Sequence, residues 1–518
     1  MHPALLVDDI IHAILQNVTS SAEDMRNIAM TCSTLSVPAL NMLWSEQSHL
    51  APLIMCLPKH TWIVGESDYT IRSNLQNFSD TAPPLPMHWE RARLNASRIR
   101  RLLPISDANW YSEYTSPMKP HISRRVLQQL FKLFPPAWLI CRSCVQTSGC
   151  FANSFRPGLE TLLFDVPPGV QERKVEQLFD ALLAEAPGLQ RLSISAARFT
   201  IPPSLVKLPK LKQLSIDGIN VCLAMQNITN IQHSCRLDTL MLTLYGTSND
   251  VDNPPSGDLP LELRTLKHLI LAANNLPLCT SFLHQVTTPH LSSIHISYST
   301  PARPTEITAF IESLSMSCQT FASLEKISMA GDSYQRPGPD CHSILPSHIF
   351  RPLLKFRRLS TVIFSDIGIY DLDDAFIDDV AVAWPNLCEL EFASHRPGTS
   401  NDVTFAAMLS LASRCRSLRI LHLTFDGTQL PTLPHTQDGN QELWPTQTAL
   451  QELNVGHSRV SEEARVPYFL ATVFPNLDVF TWHGMFGVSH GGTKALEEAL
   501  EQLEDLRDTE GEDTDDFL

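Results

Sequence analysis

Apolar residues follow two different periods along this chain, and the change between them divides it. Over residues 4–46 they recur at steps of three and four, the spacing of one helical face. Leu6, Ile10, Ile11, Ile14, Leu15 and Val18 predict a first helix, with Asp8 or Asp9 near its start as cap or dipole partner. Met25, Ile28, Ala29, Cys32 and Leu35 predict a second, and Pro38 suits the first turn of a third that carries Leu40, Leu43 and Trp44. So short a piece cannot cover three apolar faces by itself, and it is expected to offer them to a partner.

From residue 159 the period changes to Leu-x-x-Leu-x-Leu. Twelve copies begin at Leu159, Leu189, Leu211, Leu237, Leu266, Leu291, Leu324, Leu359, Leu387, Leu418, Leu450 and Leu477, at intervals of 22 to 35 residues. The spacing is that of leucine-rich repeats. Between copies lie segments with helical apolar spacing, at 171–185, 373–383, 402–413 and 462–473, each closed by a break such as Trp384-Pro385-Asn386 or Phe474-Pro475-Asn476. Each unit therefore reads as strand plus helix. Stacking such units buries their leucines and sets the strands in a parallel sheet, so the expected fold class is α/β, an irregular leucine-rich-repeat solenoid shaped as a horseshoe. Longer excursions are expected at 245–260, 331–347 and 426–446.

Strand alternation then selects the residues available for recognition. Where the motif leucines point inward, the residues between them point to the concave face. This rule presents Arg191 and Ser193, Gln213 and Ser215, Thr239, Ser293 and His295, Glu389 and Glu391, and Glu452 and Asn454. Such a polar strip suits a protein substrate held by many modest contacts.

Composition changes this picture little. At 518 residues and 43% apolar, the chain is globular and large enough for more than one domain. The start lacks the features of a signal peptide, and no stretch approaches a membrane span, so a cytoplasmic or nuclear protein with no membrane partner is expected. The twelve cysteines have no framework spacing and read as reduced thiols. Most of the net charge of −16 sits at the end, where residues 497–518 contribute −10 and the remainder only −6. No nucleic-acid partner is expected from so neutral a body. Residues 58–122, rich in Pro and aromatics, read as a structured connector. Its Arg91, Arg93, Arg98, Arg100 and Arg101 read as a charged outer flank, with a phosphate site as the alternative.

Chemistry is sparse. No phosphate loop, metalloprotease helix or nucleophile elbow is present. Cys141-x-x-Cys144 with Cys150 is half of a zinc pattern without its second half, so no metal, cofactor or catalytic residue is expected.

Three stretches at the front carry a resemblance: Leu6-Val7-x-x-Ile10-Ile11-x-x-Ile14-Leu15, Ile28-Ala29-x-x-Cys32-x-x-Leu35 and Ala39-Leu40-x-x-Leu43-Trp44. Together they resemble an F-box, and more closely the opening of the fungal F-box proteins with leucine-rich repeats, with His49 to Pro58 and His88-Trp89-Glu90-Arg91 continuing the likeness. The family's usual Leu-Pro opening reads Leu6-Val7 here, and Leu35 stands where a Trp is common. The resemblance implies a substrate receptor of a Skp/cullin/F-box ubiquitin ligase. Leu6, Val7, Ile10, Ile11, Ile14, Leu15, Ile28, Cys32, Leu35, Leu40, Leu43 and Trp44 would grip the Skp adaptor and, through it, cullin. The expected domains are an F-box over 1–48, a connector with the first irregular repeats over 49–158, the solenoid over 159–496 and an acidic tail over 497–518. The rival reading is a repeat scaffold unconnected to ubiquitin transfer, its helices merely capping the stack. A GTPase-activating horseshoe is a weaker rival, with no catalytic rim residue to support it.

Overall fold

Motif leucines drive the architecture. In the computed structural model the motif residues are buried while those between them are not in Gln213–Ile219, Thr239–Leu244, His268–Ala273, Ser293–Tyr298 and Thr361–Ser365. Burying two or three large aliphatic side chains per repeat, at about 1.5 to 3 kcal/mol each, is what sets strand against strand. The structure describes residues 8–18, 22–47, 56, 62–64, 71–73, 91, 94–95, 98, 101–102, 160–165, 180, 183, 187–195, 200–201, 205, 207–231, 237–246, 260–318, 321–331, 343–394, 402–429, 444–460 and 466–481. Leu6, Val7, Leu159, the Cys141–Cys150 cluster, most of the connector and the acidic tail lie outside them. Contacts divide the chain into two compact units, residues 1–219 with 226–237, and residues 220–225 with 238–518.

The first unit opens with helices α1 (Asp8–Val18), α2 (Ala22–Thr31) and α3 (Ser33–Ser45). α3 begins five residues earlier than the position of Pro38 predicts, so Pro38 lies inside the helix and Leu35 belongs to α3. Ile11, Leu15, Met25 and Ala39 form a core of their own, with Ile28, Ala29, Leu35, Met42 and Leu43 packed against it. α3 runs without a linker into strand β1 (Glu46–Gln47). β1 pairs in parallel with β2 (Arg101–Leu102), β2 with β3 (Thr161–Asp165), β3 with β4 (Arg191–Ser195), and β4 with β5 (Gln213–Ile219). The helical triad is thereby built onto the edge of the sheet. Arg98 fastens the same junction, donating from Nε to Asn41 Oδ1 of α3 (2.9 Å) and from Nη1 to Asn95 Oδ1 (2.6 Å). It is a bracing residue, not a solvated flank. Near the end of this unit Asn227, in helix α4 (Val221–Ile231), accepts from Ile201 N at 2.6 Å, and Asn230 donates to Ile201 O at 2.7 Å.

The second unit contributes β6 (Thr239–Leu244), β7 (His268–Ala273), β8 (Ser293–Tyr298), β9 (Lys326–Gly331), β10 (Thr361–Ser365), β11 (Glu389–Ala393), β12 (Ile420–Leu423), β13 (Glu452–Asn454) and β14 (Val479–Thr481), each parallel to the next. Leu240, Leu269, Ile294, Ile327, Val362, Leu390, Leu421, Leu453 and Phe480 stand in one register row. α5 (Leu276–His284), α6 (Pro304–Ser317), α7 (Asp374–Ala383), α8 (Phe405–Arg414) and α9 (Val466–Val473) supply the other wall. The N-termini of α5, α7 and α8 are closed by a side-chain oxygen. Asn275 Oδ1 accepts from Leu278 N, Asp373 Oδ1 from Phe376 N and Thr404 Oγ1 from Ala406 N.

The unit between Lys326–Gly331 and Thr361–Ser365 departs from strand plus α-helix: residues 347–349 and 351–355 form two 3-10 turns, one on each side of Phe350, with Pro352 at the start of the second. Segments expected as excursions also hold order, because Ile344–Pro346 pairs in parallel with Ile369–Asp371 and Asp426–Gly427 with Arg459–Val460.

Leucine-rich repeats often use an Asn to close the turn, and among these motifs the Leu266 copy carries it as Asn274, whose Nδ2 donates to Gly246 O (2.8 Å). Gln447 does comparable work between two repeats. Its Nε2 donates to Cys415 O (3.2 Å) and Leu418 O (2.8 Å), and its Oε1 accepts from Ala449 N (3.1 Å) and Leu450 N (2.8 Å). Gln447→Leu removes four hydrogen bonds to backbone groups at once, leaving Cys415 O only its bond from Leu418 N. At about 1 to 3 kcal/mol for a buried unsatisfied group, partly relieved by water, a loss of about 2 to 4 kcal/mol is expected in urea denaturation of the full chain.

Candidate functional site

Two surfaces stand apart from the core. The first is on the helical triad. Ile10 and Ile14, one turn apart on α1, are 40% and 42% exposed, while their neighbours Ile11 and Leu15 are each 2% exposed. A helix turns 100° per residue, so the sequence stripe is split: one edge fills the bundle and the other faces out. Met30 of α2 and Val37 of α3 are exposed as well. Trp44 is buried, whereas Ile28, Cys32, Leu35, Leu40 and Leu43 are half-buried. The triad therefore does satisfy much of its own apolar surface, contrary to the expectation that all three faces stay open. The surplus is shared by Ile10 and Ile14 on α1, Met30 on α2 and Val37 on α3.

The second surface is the sheet face away from the motif leucines. Arg191, Ser193, Gln213 and Ser215 lie on it in the first unit; Thr239, Ser293, His295, Glu389, Glu391, Glu452 and Asn454 lie on it in the second, all alternating with buried neighbours. Its polar groups are unevenly spread within the second unit. His268, His295 and Lys326 stand on β7 to β9, and the carboxylates Glu389, Glu391 and Glu452 on β11 and β13.

Its two inner histidines are pushed in opposite directions. Burial, aided by the nearby Lys326 ammonium, holds His295 below the usual imidazole range. His422 of β12 is held above it by its hydrogen bond with Glu391, against the opposing effect of burial and with help from Glu452. Alternation alone exposes His422, but its link to two carboxylates needs the strand register and was not legible beforehand. Met30 and Val37 were likewise missed, since neither falls in the helical stripe.

Catalytic groupings are not found among the described residues, where no cluster of His, Cys, Asp and Glu has the arrangement of a metal site. Cys279, Cys318 and Cys415 are unpaired and buried, which pushes their thiols up to about 12, 11 and 11, far from thiolate reactivity. A groove of about 460 Å³ lies on the helical flank between α5 and α6, lined by Pro277, Thr280, His284, Glu306 and Ala309 among others. His284 Nε2 lies 2.8 Å from Ser313 Oγ there, yet Ser313 is buried and donates its hydroxyl to Ala309 O at 2.6 Å. The imidazole is thus the donor to Ser313, not a base that activates it. No described helix is long and apolar enough to cross a membrane.

The sequence matches no known family model, and no curated protein matches it. Solved structures similar to the chain include the yeast Rad7 and Elc1 complex, at 16% identity over 75% of this chain and 87% of that one, with a TM-score of 0.33. The Leptospira interrogans leucine-rich-repeat protein LIC12759 is similar at 13% identity over 63% of this chain and 73% of that one, with a TM-score of 0.29. The ectodomain of the Arabidopsis receptor kinase HAESA, solved with a peptide hormone, is similar at 13% identity over 76% of this chain and 67% of that one, with a TM-score of 0.23. The fold itself rests on the motif register: three N-terminal helices precede a leucine-rich-repeat solenoid with a parallel sheet.

Proposed function

We propose that this chain is the substrate-recognition subunit of a Skp/cullin/F-box ubiquitin ligase, docking on a Skp-type adaptor through its helical triad and holding a protein target on the polar face of its sheet. The observation that carries this reading is the exposed pair Ile10 and Ile14 on a bundle whose own core, around Ile11 and Leu15, is already filled. Such a pair lies outside the triad's core cluster and leaves apolar surface that suits a foreign apolar groove. The direct passage from α3 into β1 adds a second support, because an adaptor bound to the triad is coupled to the first repeats without a slack linker.

The chain catalyses nothing in this account. It raises the local concentration of target lysines around a conjugating enzyme's thioester, and tethering alone supplies the rate. The test is co-expression of the full chain with a Skp-type adaptor: the two are expected to co-purify in equal amounts. A folded chain that retains no adaptor would leave the plain scaffold reading in its place.

A further inference from the structure

We infer that His422 is a proton-operated clasp on the sheet face: when charged it ties Glu391 of β11 to Glu452 of β13 across its own strand β12, and when neutral it lets Glu452 go. The geometry is specific. His422 Nδ1 lies 3.4 Å from Glu391 Oε2, and Nε2 lies 2.9 Å from Glu452 Oε1. A neutral imidazole has one N–H and one lone pair, so it cannot donate to two carboxylates at once. Only the imidazolium satisfies both. The register explains the reach, because Glu391 stands directly opposite His422 while Glu452 pairs with Ile420, one pleat away on the same face.

The two carboxylates are not equivalent once the proton leaves. Glu391 also accepts from the Ser365 hydroxyl on β10, and its side chain is only 16% exposed; that of Glu452 is 37% exposed. Leaving the more buried group short of a donor costs more, so the single remaining N–H stays with Glu391 and Glu452 turns to solvent. The described residues of the neighbouring strands offer no substitute cation on this face. The polar-face positions are Thr361, Ile363 and Ser365 on β10, Glu389, Glu391 and Ala393 on β11, Ile420 beside His422 on β12, Glu452 and Asn454 on β13, and Val479 and Thr481 on β14, with no Lys or Arg among them.

Because the folded protein holds the His422 proton more tightly than the unfolded chain does, the clasp stabilises fully below the ordinary histidine value of about 6.5 and is lost as pH rises through the raised folded value. For Glu391, burial pulls toward the neutral acid, but the hydrogen bonds from His422 and Ser365 outweigh it and hold the carboxyl below its ordinary range. Glu391 therefore stays ionised throughout the window in which His422 titrates. Opening the clasp removes one positive charge from the face and bares a carboxylate on it. That this face is where a protein target binds rests on the function proposed above; the clasp itself does not.

The experiment uses the full chain carrying 13C at histidine Cε1, with the His422 signal identified by its loss in H422Q and by its displacement in E452Q. Titration from about pH 5 to about pH 9 brackets the ordinary histidine range. The expected midpoint lies above the ordinary value, E391Q and E452Q each lower it, and E391Q lowers it more. A midpoint at or below the ordinary value, a ring that does not titrate, or an E452Q midpoint equal to wild type would overturn the clasp. None of these readouts involves adaptor or target, so a failed titration leaves the receptor reading standing, and a failed adaptor capture leaves the clasp standing.

Discussion

Replacing Ile10 and Ile14 together by Glu is expected to abolish capture of the Skp-type adaptor while leaving the chain folded. Each isoleucine is about 40% exposed, so neither substitution removes a group from the triad's core. Covering the exposed two-fifths of each side chain against a partner is worth about 0.6 to 1.2 kcal/mol, and a carboxylate forced into the same apolar contact adds a larger desolvation cost. A loss of about 3 kcal/mol or more follows, which is more than about a hundredfold in affinity. The matched control is Ile11→Ala or Leu15→Ala. Both residues are 2% exposed inside the bundle, so either change costs about 2 to 5 kcal/mol of folding free energy and lowers binding only by melting the triad. Circular dichroism with a pull-down separates the two outcomes. Equal adaptor binding by wild type and the double Glu variant would remove the docking surface from the account.

Phe392→Ala is expected to cost the second unit about 3 to 5 kcal/mol, the largest stability loss from any single side chain considered. The Phe392 ring on β11 stacks on Phe364 of β10 at 5.5 Å and meets Phe350, Tyr370 and Phe376 edge-on at 5.2, 5.4 and 6.2 Å. These rings come from two neighbouring strands, the paired 3-10 turns, a side strand and α7, so one truncation opens a cavity shared by successive repeats. Repeats hold each other only through their neighbours, and a lesson learnt at one junction propagates to the next. Urea denaturation measures the loss, and Phe392→Leu, which keeps most of the volume, is expected to restore much of it. A loss below about 1 kcal/mol for the Ala variant would mean that the cluster relaxes freely.

Much of this organisation was legible in the sequence. Leu at the head of each repeat fixes where a strand begins, and helices predicted at 373–383 and 402–413 form at Asp374–Ala383 and Phe405–Arg414. What escaped has physical reasons. β1 and β2 are two residues long and carry no leucine motif, so only pairing reveals them. Residues 347–355 keep apolar residues inward, but Pro352 and short spacing favour 3-10 turns over an α-helix. On α1, five apolar residues span more than one face, and periodicity alone cannot say which edge the bundle consumes. The arginine cluster shows the same limit, since charge says nothing of the Asn41 and Asn95 side chains waiting for Arg98.

Hydrogen–deuterium exchange of the full chain, with and without purified Skp-type adaptor, tests the docking claim most directly. Slowed exchange across α1 and α3 is expected on adding adaptor, with β6 to β14 unchanged. Protection confined to the sheet strands, or none anywhere at saturating adaptor, would contradict it.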